Sequence, residues 1–396
     1  MRCRVRLETL AASAFALALA VATSAQAPAK PPVKADGLIH TELSLLGRTA
    51  SVSFVPNLQA RAPEHRGIFS FGSRISGRAR IGELATNGTL RIGDVSIGKP
   101  GATPLRFDLF LETAGDGSWQ LNVVPAASSG GPDSPMSAGK IALTREPSAI
   151  ESPTLVAALV PVARDSAQLV LTWNYLKATA GIQFQEVQLP PRPAGSGRQI
   201  APVNRKHDAE NDSARFTMLS QLNEAALVDA AGARVSVTFA RTFPKGTQTQ
   251  SAAGTARHPG LVVEGPDFAR VMSTRDGAVV DLTEAPAIRL SIVGAVRSNQ
   301  VVLRPGNQTP GFPGVYSLWL KRLGSGWRLV FNQEPDVWGS QRDPKSDVGE
   351  VELTHSKSGD PARPLLVALV PTAADRWRMV LAWGPHEWSA DFAAVP

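Results

Sequence analysis

An internal repeat constrains the fold of this chain more than any other feature of its sequence. Residues 155–173 read LVAALVPVARDSAQLVLTW and residues 365–383 read LLVALVPTAADRWRMVLAW, so 10 of 19 positions are identical at an offset of 210. Similarity between two parts of one chain indicates two copies of one structural unit. The 396 residues are enough for two domains of ordinary size. We therefore expect a tandem duplication.

Further matches occur in the same order in both halves of the sequence. The matched residues are Gly47 to Phe54 with Gly232 to Phe239 at offset 185, Trp119 with Trp327 at offset 208, and Gly139, Leu143 and Thr144 with Gly349, Leu353 and Thr354 at offset 210. Between the halves, segment 189–214 is rich in Pro, Gly and charged residues and lacks hydrophobic periodicity, which predicts a linker. The predicted copies span residues 37–188 and 215–396.

The local pattern within each copy is typical of strands. Residues 169–175 and 377–383 alternate with period 2, and residues 155–161 form a continuous apolar run that ends at a proline. The 34 glycines and 31 prolines favour short segments and turns over long helices. The sequence predicts an all-β protein, with two homologous antiparallel β-sandwich domains of jelly-roll-like type in tandem and few short helices. The best helix candidate is segment 218–230.

The first 27 residues have the features of a secretory signal peptide. Three arginines precede an apolar stretch from Leu10 to Ala22, and small residues follow it. Cleavage after Ala25 and cleavage after Ala27 are both compatible with these small residues. An uncleaved anchor is the less favoured alternative, because the apolar stretch is short for a membrane span. We expect an exported protein, periplasmic or extracellular, without a transmembrane segment once the signal is removed.

Cysteine and charge content narrow the possible functions. The only cysteine, Cys3, lies in the predicted signal, so the mature chain would have no disulfide, no thiolate metal site and no cysteine nucleophile. The formal net charge is +7 without any run of five basic residues, so no nucleic-acid partner is expected. Nucleotide-binding and serine-hydrolase motifs are lacking. The six histidines show no close spacing of the kind that often binds metals, and we expect neither a cofactor nor a metal centre.

Several aromatic and glycine positions resemble a known family. The segment GVYSL at 314–318, Trp327, Asn332, the pair Trp338–Gly339 and Trp383 resemble the bacterial domain-of-unknown-function family 2911. The first half is similar at SVSFVPNLQAR (51–61), at Arg80-Ile81-Gly82 and at Thr89-Leu90. The resemblance covers most of residues 38–185 and 230–393, in two copies. It implies a strand-rich, exported unit, and the family has no established activity.

Each half departs from the family pattern in a different place. The first half has Phe107 near the position of the family tyrosine and GGPDS instead of the WG pair. The second half lacks the R-x-G stretch and has STRDG at 273–277. If the family pattern forms a site, each half therefore holds only part of it.

The segment 334–350 contains the densest group of carboxylates. Glu334, Asp336, Asp343, Asp347 and Glu350 surround Trp338. Two carboxylates beside an aromatic ring could perform acid–base chemistry on a sugar, and oxygen-rich loops could hold calcium. The prolines and glycines of this segment favour the simpler interpretation, a turn-rich surface loop. Trp338 itself either closes one end of a sandwich or presents its ring to a ligand.

The sequence therefore predicts a function class rather than a reaction. The favoured class is a non-catalytic binding or structural module of the cell envelope, with a glycan, a protein or another envelope component as partner. The alternative is an exported hydrolase, acting on glycans, that uses carboxylates near Trp338. A third possibility is a scaffold that binds no small ligand. The candidate ligand-binding residues are Trp338, Gly339, Tyr316, Asp336, Asp343 and Arg80.

Overall fold

Strands dominate the computed structural model of the protein, and a single α-helix, α1 (Pro266–Met272), occurs among the described residues. The all-β prediction is confirmed. The structure describes residues 37–55, 78–100, 103–113, 116–126, 139–185, 222–240, 249–251, 254–256, 266–282, 288–306, 313–335, 342–357 and 360–395. The predicted signal and linker lie outside these ranges.

The strands are short except where two long ones form a hairpin in the first half. Those of the first half are β1 (Ile39–Leu45), β2 (Arg48–Phe54), β3 (Arg78–Thr86), β4 (Leu90–Ile92), β5 (Val95–Ile97), β6 (Leu105–Thr113), β7 (Trp119–Pro125), β8 (Gly139–Ala142), β9 (Thr144–Pro161) and β10 (Ser166–Phe184). Those of the second half are β11 (Leu222–Val228), β12 (Arg234–Ala240), β13 (Thr249–Ser251), β14 (Gly254–Ala256), β15 (Val279–Asp281), β16 (Arg289–Val293), β17 (Ala295–Ser298), β18 (Val301–Leu303), β19 (Val315–Leu323), β20 (Gly326–Asn332), β21 (Asp347–Lys357), β22 (Leu366–Ala373), β23 (Arg376–Trp383) and β24 (His386–Val395).

Apart from the separate pair β13–β14 and the short β15, which pairs with β19, the strands form two layers, and the first layer is continuous across both halves. Its order, with every pair antiparallel, is β8-β7-β6-β3-β2-β1-β11-β12-β16-β19-β20-β21. The second layer comprises β5-β4-β10-β9 in the first half and β22-β23-β24-β17-β18 in the second. The two parts of this layer contact each other through β9 and β22.

The core lies between the two layers. Side chains of a strand point alternately to its two faces, and in β6 the buried apolar residues are Phe107, Leu109 and Leu111. Four tryptophans are part of this core. Trp119, Trp173, Trp327 and Trp383 are at most 5% exposed. The arrangement is therefore sandwich-like, with apolar faces turned inward.

Where the structure describes the predicted helix 218–230, from residue 222 onward, it has a strand and not a helix. Residues Leu222–Val228 form β11, which is bonded to β1 on one side and to β12 on the other. Ala225 and Leu227 are buried in the core with the spacing of a strand. The helix propensity of the run EAAL was misleading, because pairing with two neighbours overrides a local preference of this size.

The strand registers of the two halves correspond at the offset of the sequence repeat. At offset 210, the pair Leu159 with Leu169 corresponds to Leu369 with Met379, and the pair Thr144 with Thr179 corresponds to Thr354 with Ser389. A backbone bond from Phe184 N–H to the Asp165 carbonyl has its equivalent in the bond from Ala394 N–H to the Asp375 carbonyl.

A glycine in the last strand of the first layer lies against a valine in each half. A Cβ atom added to Gly139 would lie 2.3 Å from Val95 Cγ2, and one added to Gly349 would lie 2.9 Å from Val301 Cγ2. The valines belong to the short hairpins β4–β5 and β17–β18 of the second layer. Glycine thus lets these hairpins approach the first layer at each outer end.

The described part of the chain offers no membrane-spanning helix. Its only α-helix, α1, has seven residues, and none within the described ranges is long and apolar enough to cross a bilayer.

Candidate functional site

The centre of the predicted site lies outside the described residues. Asp336, Trp338 and Gly339 fall in the gap between 335 and 342. The structure does describe the two segments that precede and follow this loop, which we call the loop frame (residues 332–335 and 342–347).

Asn332 joins the two sides of the loop frame. Its side chain is 1% exposed. Its amide nitrogen donates to the Asp343 carbonyl at 2.8 Å and to Asp347 Oδ1 at 2.8 Å, and its amide oxygen accepts from Glu334 N–H at 2.9 Å. A buried amide whose donors and acceptor are all used in this way is costly to replace. Asn332 therefore joins Glu334, which precedes residues 336–341, to Asp343 and Asp347, which follow them.

The frame is braced further from β19. The Ser317 hydroxyl donates to the Glu334 carbonyl at 2.9 Å and accepts from the indole N–H of Trp319 at 3.0 Å. Ser317 and Asn332 are themselves opposite each other in the β19–β20 ladder. The residues at the end of β20 are thus well anchored to β19.

Two of the described carboxylates in this region stabilise the loop frame through hydrogen bonds. The Arg342 guanidinium binds both oxygens of Asp347, with an Nε–Oδ1 distance of 2.9 Å. Asp343, a predicted ligand residue, caps the 3₁₀ turn 344–346 by accepting from Lys345 N–H at 2.9 Å. Both carboxylates therefore have structural partners.

Glu350 lies in an ion-pair cluster on the neighbouring strands. Its Oε2 is 2.7 Å from Lys321 Nζ, and its Oε1 binds Arg328. Hydrogen bonding by Lys321 is the largest cause that lowers the pKa of the Glu350 carboxyl, with a further contribution from Arg328. Glu334, by contrast, is exposed at the frame.

Tyr316, another predicted ligand residue, is a core side chain at 1% exposure. Its hydroxyl accepts from Arg304 N–H at 3.2 Å and donates to the Arg304 carbonyl. Burial raises the pKa of its phenol. The residue ties β19 to the end of β18 and presents little surface to a ligand.

Arg80 lies far from the other predicted site residues. It is on β3 in the first half, where its Nη2 is 2.6 Å from Asp108 Oδ1 on β6. Five strands, β2, β1, β11, β12 and β16, separate β3 from β19. At about 4.8 Å per strand, this separation is close to 30 Å, so Arg80 and Tyr316 do not form one site.

The structure also brings together two histidines that are 31 residues apart in the sequence. His355 Nε2 and His386 Nδ1 are 3.0 Å apart. The ring of Trp388 is nearly parallel to both imidazoles, at centroid distances of 5.4 and 5.5 Å. Trp327 meets Trp388 edge-on at 5.7 Å. We call His355, His386, Trp388 and Trp327 the histidine–tryptophan cluster.

The register of two strands creates this cluster. His355 on β21 is opposite Trp388 on β24, and Lys357 is opposite His386, so the two histidines are diagonal neighbours on one face. The helix α1 adds Phe268, whose ring is 6.0 Å from that of His386 and 5.3 Å from that of Trp383. The spacing rule applied to the sequence finds only neighbours along one strand or helix, and therefore missed this cross-strand pair.

Both histidines have a pKa below the ordinary imidazole value. Burial is the main cause for each. The charges of Lys357 and Arg322 add to the lowering for both residues, and His355 does so for His386. These effects favour the uncharged form of both imidazoles. Within the described residues there is no group of three or more His, Asp or Glu side chains that could hold a metal ion.

The fold and these contacts define a sandwich-like, all-β protein with the loop frame and a hydrogen-bonded histidine pair in its second half. Residues 306–392 match the model of a protein family of unknown function, DUF2911. This range contains Tyr316, the loop frame and the whole histidine–tryptophan cluster. No curated protein and no solved structure matches the chain.

Proposed function

We propose that this is an exported, non-catalytic binding or structural module of the cell envelope, built from two homologous copies. Its ligand or partner would contact the loop 336–341 in the second copy. The proposal that the module is non-catalytic rests on the hydrogen bonds and ion pairs that the carboxylates near residues 336–341 make. The export part rests on the sequence of the first 27 residues.

A two-carboxylate glycosidase needs one carboxyl group that stays protonated near neutral pH. The pKa of Glu350 is lowered instead, because Lys321 and Arg328 favour its charged form. Asp347 is bound by an arginine and Asp343 caps a turn. These roles favour a structural purpose for the acidic residues over acid–base catalysis.

The loop frame supports a role in binding. Asn332 and Ser317 fix the described residues on both sides of the predicted loop, and a segment between fixed ends loses less conformational entropy on contact with a partner. Tryptophan is also among the residue types most often found at the energetic centre of interfaces. Trp338 within such a loop is therefore the residue to test.

The proposed duplication is supported by contacts that sequence identity alone does not include. One is the glycine–valine contact at each outer end. Another is an ion pair with its charges exchanged: Glu112 on β6 bonds Lys140 on β8 at 2.9 Å, and Lys321 on β19 bonds Glu350 on β21 at 2.7 Å. Lys140 and Glu350 are related by the offset of 210.

The proposal is tested by thermal unfolding of residues 28–396 with glycans, peptidoglycan fragments and peptides. A ligand at 100 times its Kd adds about 2.7 kcal/mol of stability, and we expect the resulting shift in Tm to disappear in Trp338→Ala. Leu323→Ala, which alters an exposed side chain elsewhere in the second half, is the control and should keep the shift. The absence of a shift with any ligand would favour the scaffold instead.

The hydrolase alternative is tested with Asp343→Asn. Asparagine also caps turns well, so the variant should fold, and we expect no glycan hydrolysis in either protein. Turnover by the wild type that is lost in this variant would overturn the non-catalytic proposal.

A further inference from the structure

Strand β21 passes from one layer of the sandwich to the other. Its residues Asp347 and Gly349 to Leu353 pair with β20 in the first layer, and Thr354–Lys357 pair with β24 in the second. His355 lies on this second segment and His386 lies on the facing part of β24; we call this part of the β21–β24 ladder the layer seam. Only four residue pairs join β21 to β24 there. Each side-chain contact across the seam therefore makes a relatively large contribution to the stability of this ladder.

The two imidazoles share one hydrogen bond in a common plane. Their rings are 7° from parallel, with centroids 5.2 Å apart and facing nitrogens 3.0 Å apart. The centroid distance is close to the N···N distance plus the two ring radii, so the bond runs along the line between the rings. One ring donates N–H and the other accepts with its lone pair, which requires that at least one ring be unprotonated at the facing nitrogen.

The charged groups around the pair are mostly positive. Lys357 follows His355 on the same face of β21, and Arg322 is on β19. On the side of β24, Arg363 donates to the His386 carbonyl at 3.2 Å and lies 3.6 Å from Glu387. On α1, the charges next to Phe268 belong to Asp267 and Arg270, which bind each other at 2.8 Å.

We propose that the His355–His386 bond is a proton-operated latch on the layer seam, closed at neutral pH and opened by acidification. When the second proton arrives, two N–H groups face each other and neither ring can accept. Two positive charges then lie side by side between Lys357 and Arg322, under the buried ring of Trp388. The bond is lost, and repulsion separates β21 from β24 at this segment.

The direction of the pH effect follows from the lowered pKa of both histidines. The unfolded or opened chain binds protons near the ordinary imidazole pKa of about 6.5, whereas the closed pair resists them. The stabilisation is therefore fully present above pH 6.5 and is lost as the pH falls below it. For each proton taken up on opening, the opening equilibrium constant rises by up to about tenfold when the pH is lowered by one unit in this range.

The first half provides the residues for a latch-free variant. At offset 210, His355 corresponds to Arg145 and His386 to Leu176. We therefore compare urea unfolding of the full chain, in buffer with EDTA, with that of the double variant His355→Arg/His386→Leu at pH 7.5 and 5.5. The wild type should lose stability on acidification, with about a tenfold larger change in unfolding equilibrium constant than the variant. His40→Gln, at a histidine bonded to Ser53 in the first half, should behave like the wild type.

A second measurement does not depend on the variant folding. Amide hydrogen exchange of the wild type, corrected for the intrinsic pH dependence of exchange, should show that Thr354–Lys357 and residues 386–389 lose protection between pH 7.5 and 5.5. Amides of the β9–β10 hairpin should keep theirs. Equal pH dependence of wild type and double variant, or unchanged protection at the seam, would overturn the latch.

Discussion

At the scale of single residues, the second half has Tyr316 where the first half has Phe107, and the two side chains differ by one hydroxyl group. Tyr316 pairs with Leu290 in the β16–β19 ladder, and Phe107 pairs with Leu84 in the β3–β6 ladder. Both rings are buried. The phenol oxygen of Tyr316 adds the two bonds to the Arg304 backbone, which ties the hairpin β17–β18 to the first layer in the second half.

Removal of this oxygen should weaken the protein measurably. We expect Tyr316→Phe to lower the free energy of unfolding by about 1 kcal/mol, because a hydroxyl with two backbone partners is lost while the ring remains. Urea unfolding at pH 7.5 measures this change. Ser44→Ala, which removes a hydroxyl from a partly exposed pair with Thr49, should cost less than about 0.5 kcal/mol. A Tyr316→Phe variant as stable as the wild type would contradict the role assigned to the hydroxyl.

The sequence predicted the environment of some site residues better than that of others. Trp173 and Trp383 lie in the two segments with period-2 alternation, which indicates the covered face of a strand, and both are buried. The partners of His355, Asn332 and Tyr316 could not be predicted, because each lies on another element or in a distant turn. Their contacts depend on strand register, which the sequence of a single strand does not determine.

At the scale of elements, the two glycine–valine contacts control how the hairpins of the second layer approach the ends of the first. Neither Gly139 nor Gly349 has a positive φ, so the reason for glycine there is space rather than backbone conformation. The same reasoning explains why both glycines recur at the offset of the repeat.

Alanine at these positions should therefore destabilise the protein. We expect Gly139→Ala to cost about 1–3 kcal/mol through overpacking, and Gly349→Ala to cost less because its contact with the valine is longer. Gly181→Ala is the matched control, since a Cβ on this β10 glycine meets nothing within 4 Å, and it should be neutral or slightly stabilising. Urea unfolding measures all three.

A double variant tests whether crowding against Val95 causes the loss of stability in Gly139→Ala. If a clash with Val95 is responsible, then Val95→Ala should recover part of the stability that Gly139→Ala loses, and the two changes will not be additive. Strict additivity would mean that the valine is not the cause.

At this scale, two strands could be predicted from the sequence and a third was missed. The strands at 169–175 and 377–383 were predicted from period 2 and are present as parts of β10 and β23. The strand at β11 was missed, because its buried residues Ala225 to Val228 include both faces. A strand covered on both faces has no alternation for a sequence pattern to detect.

At the scale of the whole molecule, the β1–β11 ladder makes one sheet out of strands from both halves. Five residue pairs, from His40 with Val228 to Ser44 with Glu224, form this ladder. The contact between β9 and β22 joins the halves in the other layer. Most of the buried apolar residues of both halves belong to one core cluster.

We therefore expect both halves to unfold together at neutral pH. Urea unfolding followed by far-ultraviolet circular dichroism, which reports on all strands, should coincide with unfolding followed by tryptophan fluorescence, which reports mainly on the second half. Coincident transitions are the test for a two-state process. Two separate midpoints would mean that the shared sheet and core do not couple the halves.

The antiparallel ladder between β1 and β11 also bears on the history of the chain. Each is the first described strand of its half, so the contact is of the kind that two identical subunits make across a two-fold axis. On the proposed duplication, a single-copy ancestor could have used the same strand edge to form a homodimer, and gene fusion would have made that dimer permanent. After fusion, a substitution no longer had to suit both subunits at once. The two copies could then diverge, with His355 and His386 in one and Arg145 and Leu176 at the corresponding positions of the other, so specialisation of one half is a consequence of the shared edge.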